Sequence, residues 1–131
     1  MSRQLDNLMM NYPLTLTHFL ERTRRVFPRK TLATRVPGVG LERLDYGRWA
    51  ERTTRLAAAL RALGVRKGDR VGTFAWNSHR HLEVYFAAPC MGAVLHTVNI
   101  RLSPADITYI VNHAGDKVLI VDASCWATAE S

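Results

Sequence analysis

Apolar residues along this chain recur first at helical spacing, then in short alternating runs, and the alternation repeats to the C-terminus. Leu16, Phe19, Leu20, Thr23 and Phe27 predict a helix that Pro28 stops. Its other face carries Arg22, Arg24 and Arg25, with Arg29 and Lys30 just beyond. Lys30 to Val36 and Leu41 to Leu44 are β-prone runs on either side of Pro37-Gly38-Val39-Gly40, and a Pro/Gly turn in that place predicts a hairpin. Asp45 is a good N-cap for a helix running to Leu63, with Trp49, Thr53, Leu56, Leu60 and Leu63 on one face and Gly64 at the C-cap position.

After the Gly68-Asp69 turn the pattern becomes strand, helix, strand, helix, strand. Arg70 to Ala75 reads as a strand, and Ser78 opens an almost wholly apolar helix through Glu83, Tyr85 and Phe86 to Gly92. A helix apolar on most sides belongs inside a larger body. Ala93 to Val98 is again strand-like. Ser103-Pro104-Ala105-Asp106 then combines an N-cap serine, a proline at the first helical position and an acid at the third, opening a helix to about Ala114 that Gly115 breaks. Lys117 to Val121 is a short strand ending at Asp122. Strands joined by crossover helices pair in parallel, so the fold class is α/β. Ligands of open parallel sheets sit past the carboxyl ends of the strands, which here are Trp76-Asn77, Asn99 to Arg101, and Asp122.

Composition narrows the class. The 131 residues fit one domain or a piece of a larger one, and 47% hydrophobic with 22% charged residues suits a globular chain with a core. The net charge of +7 is nearly all arginine and is dispersed, so no specific nucleic-acid partner is expected. No apolar run approaches the roughly 18 to 20 residues of a membrane span, and the start, with Arg3, Gln4, Asp6 and Asn7, lacks a signal peptide's apolar segment. A cytoplasmic protein is the expectation. Cys90 and Cys125 form neither a CxxC pair nor a disulfide framework and read as reduced thiols.

Candidate chemistry is sparse. The strand at Val71 leads into Ala75-Trp76-Asn77-Ser78 rather than closely spaced glycines, and Gly64 to Gly68 lacks the Lys-Ser or Lys-Thr of a phosphate loop, so no cofactor-binding residue is assigned. His79, His81, Cys90, His96 and His113 match no metal-ligand spacing, with His79 and His81 on different faces of a predicted helix, and no metal is expected. Ser78, Ser103 and Ser124 lie outside any nucleophile elbow; Ser78 and Ser103 serve better as caps, and no catalytic residue is assigned. Arg48, Arg52 and Arg55 form a helical stripe, and Glu51 four residues before Arg55 favours a solvated face with local ion pairs. The competing reading gives Arg48, Arg52 and Arg55, or Asn99 with Arg101, to nucleotide phosphates past a strand end. Trp49 reads as core.

The stretch GDRVGTFAWNSHRHLEVYFAAPCMGAVLHTVNIRLSPADITYIVNHAGDKVLIVD, from Gly68 to Asp122, carries a resemblance. It resembles the N-terminal region of AMP-forming acyl-CoA synthetases, the adenylate-forming ligase superfamily, and looks most like the long- and medium-chain fatty acid members. The Gly68-Asp69-Arg70-Val71 turn, Asn77, Gly92-Ala93-Val94, Asn99 with Arg101-Leu102, and Tyr109-Ile110 fall in the family's order, and the upstream Leu44-Asp45-Tyr46 and its amphipathic helix fit as well. The resemblance implies that residues 1–131 are the N-terminal fragment of a ligase large domain. Such a ligase joins a fatty acid to ATP and passes the acyl group to coenzyme A. ATP, Mg and CoA belong to the full-length family, whose phosphate loop and catalytic lysine lie downstream, so this stretch alone is not expected to catalyse. Asn99 is the position expected nearest functional surface. Some family members resemble one another in exchanging N-terminal arms, which would suit Leu5, Leu8, Met9, Met10 and Tyr12 as homodimer contacts. The alternative is a free-standing α/β interaction or dimerisation module without enzymatic activity.

Overall fold

The computed structural model describes residues 12–36 and 38–130. Leu5, Leu8, Met9, Met10 and Pro37 lie outside the described residues. Helix α1 (Leu16–Val26) leads into an antiparallel hairpin of β1 (Thr31–Val36) and β2 (Gly40–Asp45), in register from Thr31 opposite Asp45 to Val36 opposite Gly40. Helix α2 (Tyr46–Ala62) follows directly, because the Asp45 side chain accepts from the Arg48 amide at 2.7 Å and caps the first turn.

The α2 helix ends as the glycine position predicts, with Gly64 at φ 85° just past the Leu63 cap. Gly64 N donates to Arg61 O and Val65 N to Leu60 O, closing a Schellman turn that aims the chain at β3 (Arg70–Phe74). The same motif ends α3 (His79–Cys90), where Gly92 at φ 88° donates to Pro89 O and Ala93 to Ala88 O. Strand β4 (Val94–Thr97), helix α4 (Pro104–Ala114) and strand β5 (Val118–Val121) complete the alternation. A 3₁₀ turn over Ala123–Cys125 and a short helix α5 (Trp126–Glu130) lie beyond the last predicted strand.

The three strands are parallel in the order β4-β3-β5, with Val71 beside Leu95 on one side and Val118 on the other. Alternation along β3 divides its side chains between two cores. Val71 packs with Leu60 of α2 and Val84, Ala87 and Ala88 of α3, whereas Phe74 packs with Val98, Ile107 of α4 and Cys125. The apolar α3 therefore finds its surroundings within this chain: sheet below, α2 and α1 beside it. A third cluster joins Leu20 of α1 to Trp49 and Ala50 of α2, with Phe86 of α3 set edge-on to Trp49 at 4.9 Å between ring centroids. Among the described residues no helix is long and apolar enough to cross a membrane.

Candidate functional site

Because β4 is added on one side of β3 and β5 on the other, the order of strand addition reverses between β3 and β5. Open α/β sheets leave a crevice at such a point. The crevice is present here as a cleft of about 250 Å³ lined by Thr73, Ala75, Ser78, Arg80, His81 and Asp122, together with Val84, Ile120, Val121 and Ala123. The ends of β3 and β5 thus meet and that of β4 does not, and of the residues singled out from the sequence Asp122 lines the cleft while Trp76 and Asn77 stand outside its lining. Asn99 and Arg101 follow the edge strand β4, where Asn99 Oδ1 accepts from the Arg101 amide at 3.0 Å in an exposed local turn.

His81 is the residue that sequence reasoning missed. It is 8% exposed, its Nε2 lies 2.9 Å from Thr73 Oγ1, and among the described residues Nδ1 makes no hydrogen bond of good geometry. Burial holds the imidazole below its ordinary value, opposed by the Trp76 backbone, so the ring is neutral at pH 7. Its place four residues before Tyr85, whose ring it meets edge-on at 5.0 Å, was the available signal. His79 points elsewhere: Thr34 Oγ1 of β1 accepts from its amide at 3.0 Å and lies 3.2 Å from its Nδ1, pinning the hairpin to the start of α3. A second cleft of about 340 Å³ opens there between Thr34, Asn77, Ser78 and Tyr85.

The remaining candidates have structural partners. Ser78 and Ser103 cap α3 and α4, with Ser103 also donating to Asp106 Oδ2 at 2.6 Å. Ser124 donates to Asp122 Oδ1 at 2.8 Å, so this carboxylate holds the 3₁₀ turn. His96 pairs with the buried Asp116 at 2.8 Å on the Phe74 side of the sheet, and His113 stacks on Tyr109. Among the described residues no group of three or more His, Cys, Asp or Glu is placed to hold a metal. Burial outweighs a Thr17 hydrogen bond and, with a smaller contribution from the Glu21 charge, pushes the Cys90 thiol up, so it is a poor nucleophile.

The arginine stripe on α2 departs from its expected pairing. Glu51 and Arg55 form no ion pair among the described residues; instead Arg52 donates to both oxygens of Glu83 on α3, Nε at 2.6 Å and Nη2 at 3.2 Å. The physical reason is burial. Glu83 is only 6% exposed and requires a cation, whereas the exposed Glu51 has water.

Comparison with known proteins is consistent with this architecture. The sequence model of the family described as AMP-binding enzyme matches residues 20–131. The chain belongs to that family. A long-chain-fatty-acid–CoA ligase of Thermus thermophilus is 50% identical over 123 residues, which is 94% of this chain and 23% of the ligase. A 3-methylmercaptopropionyl-CoA ligase of Ruegeria lacuscaerulensis is 39% identical over 88% of this chain and 22% of its own length. A fatty acyl CoA synthetase of Mycobacterium tuberculosis superposes with a TM-score of 0.79 at 29% identity, covering 88% of this chain and 23% of that one. The chain thus spans about a quarter of the length of the relatives it matches, and its fold is that of the N-terminal portion of adenylate-forming ligases.

Membership of an AMP-binding family implies ATP, and the strand ends do not suit its phosphates. Past β3 the turn holds Trp76 and Asn77 with no glycine that would let backbone amides close on an anion, and past β5 the Asp122 carboxylate would repel one. Arg80 alone among the crevice residues carries positive charge.

Proposed function

We propose that this chain is the N-terminal portion of a fatty acyl-CoA ligase, supplying framework to an active site whose adenylating groups lie in further chain. The observation that carries this reading is the 50% identity over 94% of the chain to the Thermus ligase. On this reading the complete enzyme converts a fatty acid, ATP and CoA to acyl-CoA, AMP and pyrophosphate, with Mg bound to the nucleotide, in the cytoplasm. Stabilising the charge that develops on leaving pyrophosphate needs preorganised donors held around the phosphates, and among the described residues no such arrangement is present.

The test is fatty-acid-dependent exchange of pyrophosphate into ATP. It should be absent from the isolated chain and present when the chain replaces the matching stretch of the Thermus ligase. Exchange by the chain alone, or a folded but inert chimera beside an active parent, overturns the proposal.

A second reading rests on α1. Leu20 is its one buried residue, while Phe19 and Val26 are 61% and 54% exposed and Leu14, just before it, is 82% exposed. The Tyr12 ring lies tilted against His18, 4.6 Å between centroids, at the start of this surface. A homodimer through the N-terminal segment would cover that row. Sedimentation of the chain against one lacking residues 1–11 decides the matter: loss of a dimer supports it, and identical monomers refute it.

A further inference from the structure

The hairpin, α2 and α3 enclose a groove that neither the fold nor the proposed function requires. It measures about 290 Å³ and is lined by Glu42, Arg43 and Leu44 of β2, Arg48 and Arg52 of α2, and His79 and Arg80 of α3. Residues from three elements thus bring four guanidiniums to one depression. Only Arg52 has a carboxylate partner, Glu83, and that pair uses Nε and Nη2, so its Nη1 is uncommitted among the described residues. Arg43, Arg48 and Arg80 form no salt bridge among the described residues. Asp45, outside the lining, commits Oδ1 to the Arg48 amide.

The lining therefore holds three free guanidiniums against the single carboxylate of Glu42, an excess of two positive charges. One further feature favours an anion. Thr34 Oγ1 accepts the His79 amide and can give its proton to Nδ1, which leaves the ring proton on Nε2 as one more donor. Like charges of this kind repel one another unless an anion or solvent screens them, and guanidinium forks match the oxygens of phosphate in pairs.

We propose that this groove binds a phosphate monoester in its dianionic form. The charge decides the class: a monoester carries about −1.5 to −2 at pH 7 and balances the excess, whereas a diester carries one charge and leaves a guanidinium unmatched. The ligand is the phosphate of a free metabolite or of a phosphorylated side chain, which share this chemistry. The groove shares Arg80 with the crevice at the strand ends, is otherwise lined by different residues, and does not depend on the ligase reading.

Titration calorimetry at constant ionic strength, with inorganic phosphate and phenyl phosphate as probes and dimethyl phosphate as the diester, tests it. Both dianions should saturate one site that the diester does not fill. Arg43→Gln and Arg48→Gln should each weaken phenyl phosphate about tenfold or more, as removal of one charge-assisted hydrogen bond does, with Arg55→Gln unchanged. These arginines are exposed, and Arg80→Gln carries the test if circular dichroism finds either variant unfolded. Phosphoserine and a phosphoserine peptide then distinguish the sources: equal affinity assigns a metabolite, tighter peptide binding a protein. Linear, unsaturable heats, equal filling by the diester, or an Arg55→Gln weakening as large as that of Arg48→Gln overturns the site.

Discussion

The two faces of the parallel sheet differ in how completely this chain covers them. On the Val71 face, Val71, Ala87 and Ala88 are fully buried, and α2 and α1 extend the packing outward from α3. On the Phe74 face, α4 contributes Ile107 as its one buried residue, Leu119 and Val121 of β5 are half-buried, and Tyr109 and Trp126 stay 68% and 57% exposed. The first face is built by α3, with α1, the hairpin and α2 packed around it, and among the described residues the second is covered by α4, the segment after β4 and the terminal turns. Stability should therefore reside on the first face, and the second keeps more apolar surface exposed.

The largest expected effect lies at the centre of the covered face. Leu60 is 2% exposed between α2 and the sheet, and Leu60→Ala should cost about 2–5 kcal/mol in urea unfolding, the range for a large core side chain truncated where neighbours cannot close the gap. A loss below about 1 kcal/mol would mean that this face is no better packed than the other.

The Arg52 pair, at the edge of the same face, comes next. Arg52→Ala strands the Glu83 carboxylate, 6% exposed, without its two donors, and should cost about 1–3 kcal/mol because one end of the pair still reaches water. Arg55→Ala, on the same helix, should change the unfolding free energy by no more than about 0.5 kcal/mol. Equal effects from the two would show that the interhelical bond is not what holds α2 to α3.

Sequence legibility follows the same division. The caps at Asp45, Ser78 and Ser103, the glycine ends at Gly64 and Gly115 and the core role of Trp49 were readable because each is a local rule carried by residues within a turn of one another. The Glu83 partner of Arg52 was not, since the two are 31 residues apart and local spacing offered Glu51 instead. The strand-end crevice was legible as a class of place, but its buried histidine was not. A charged or ring side chain within an apolar helix shows its partner, here Thr73 of β3, only once the sheet is assembled. The helical residues after Asp122 carry too short a pattern for periodicity to find.

A smaller effect should appear in the pH dependence of the covered face. His81 has a folded value below its ordinary 6.5, so in the acid range the unfolded chain binds more protons than the folded one. The stability it contributes is fully present above about pH 6.5 and is lost as pH falls from there through the folded value. Asp69 is also held low, by hydrogen bonds from the Arg66 amide and Lys117, but its ordinary value of 3.8 places that loss in a separate, more acid window. The urea midpoint should fall between about pH 7.5 and 5.5 for the native chain and change less for His81→Gln. The same fall in both chains would assign the proton to another group.

The smallest effect is expected on the open face, at Tyr109. Its ring stacks on His113 at 5.5 Å between centroids and is otherwise largely in water, so little apolar area is given up when it is truncated. Tyr109→Ala should change unfolding by about 0.5 kcal/mol or less in dilute solution, as surface changes away from caps and cores do. The discriminating measurement is a concentration series. If the loss exceeds about 1 kcal/mol and grows with protein concentration, Tyr109 is buried between copies, because a contact formed only in an assembly stabilises by mass action. If the loss exceeds that figure and stays constant with concentration, α4 is packed as firmly as α3, and the contrast between the two faces fails.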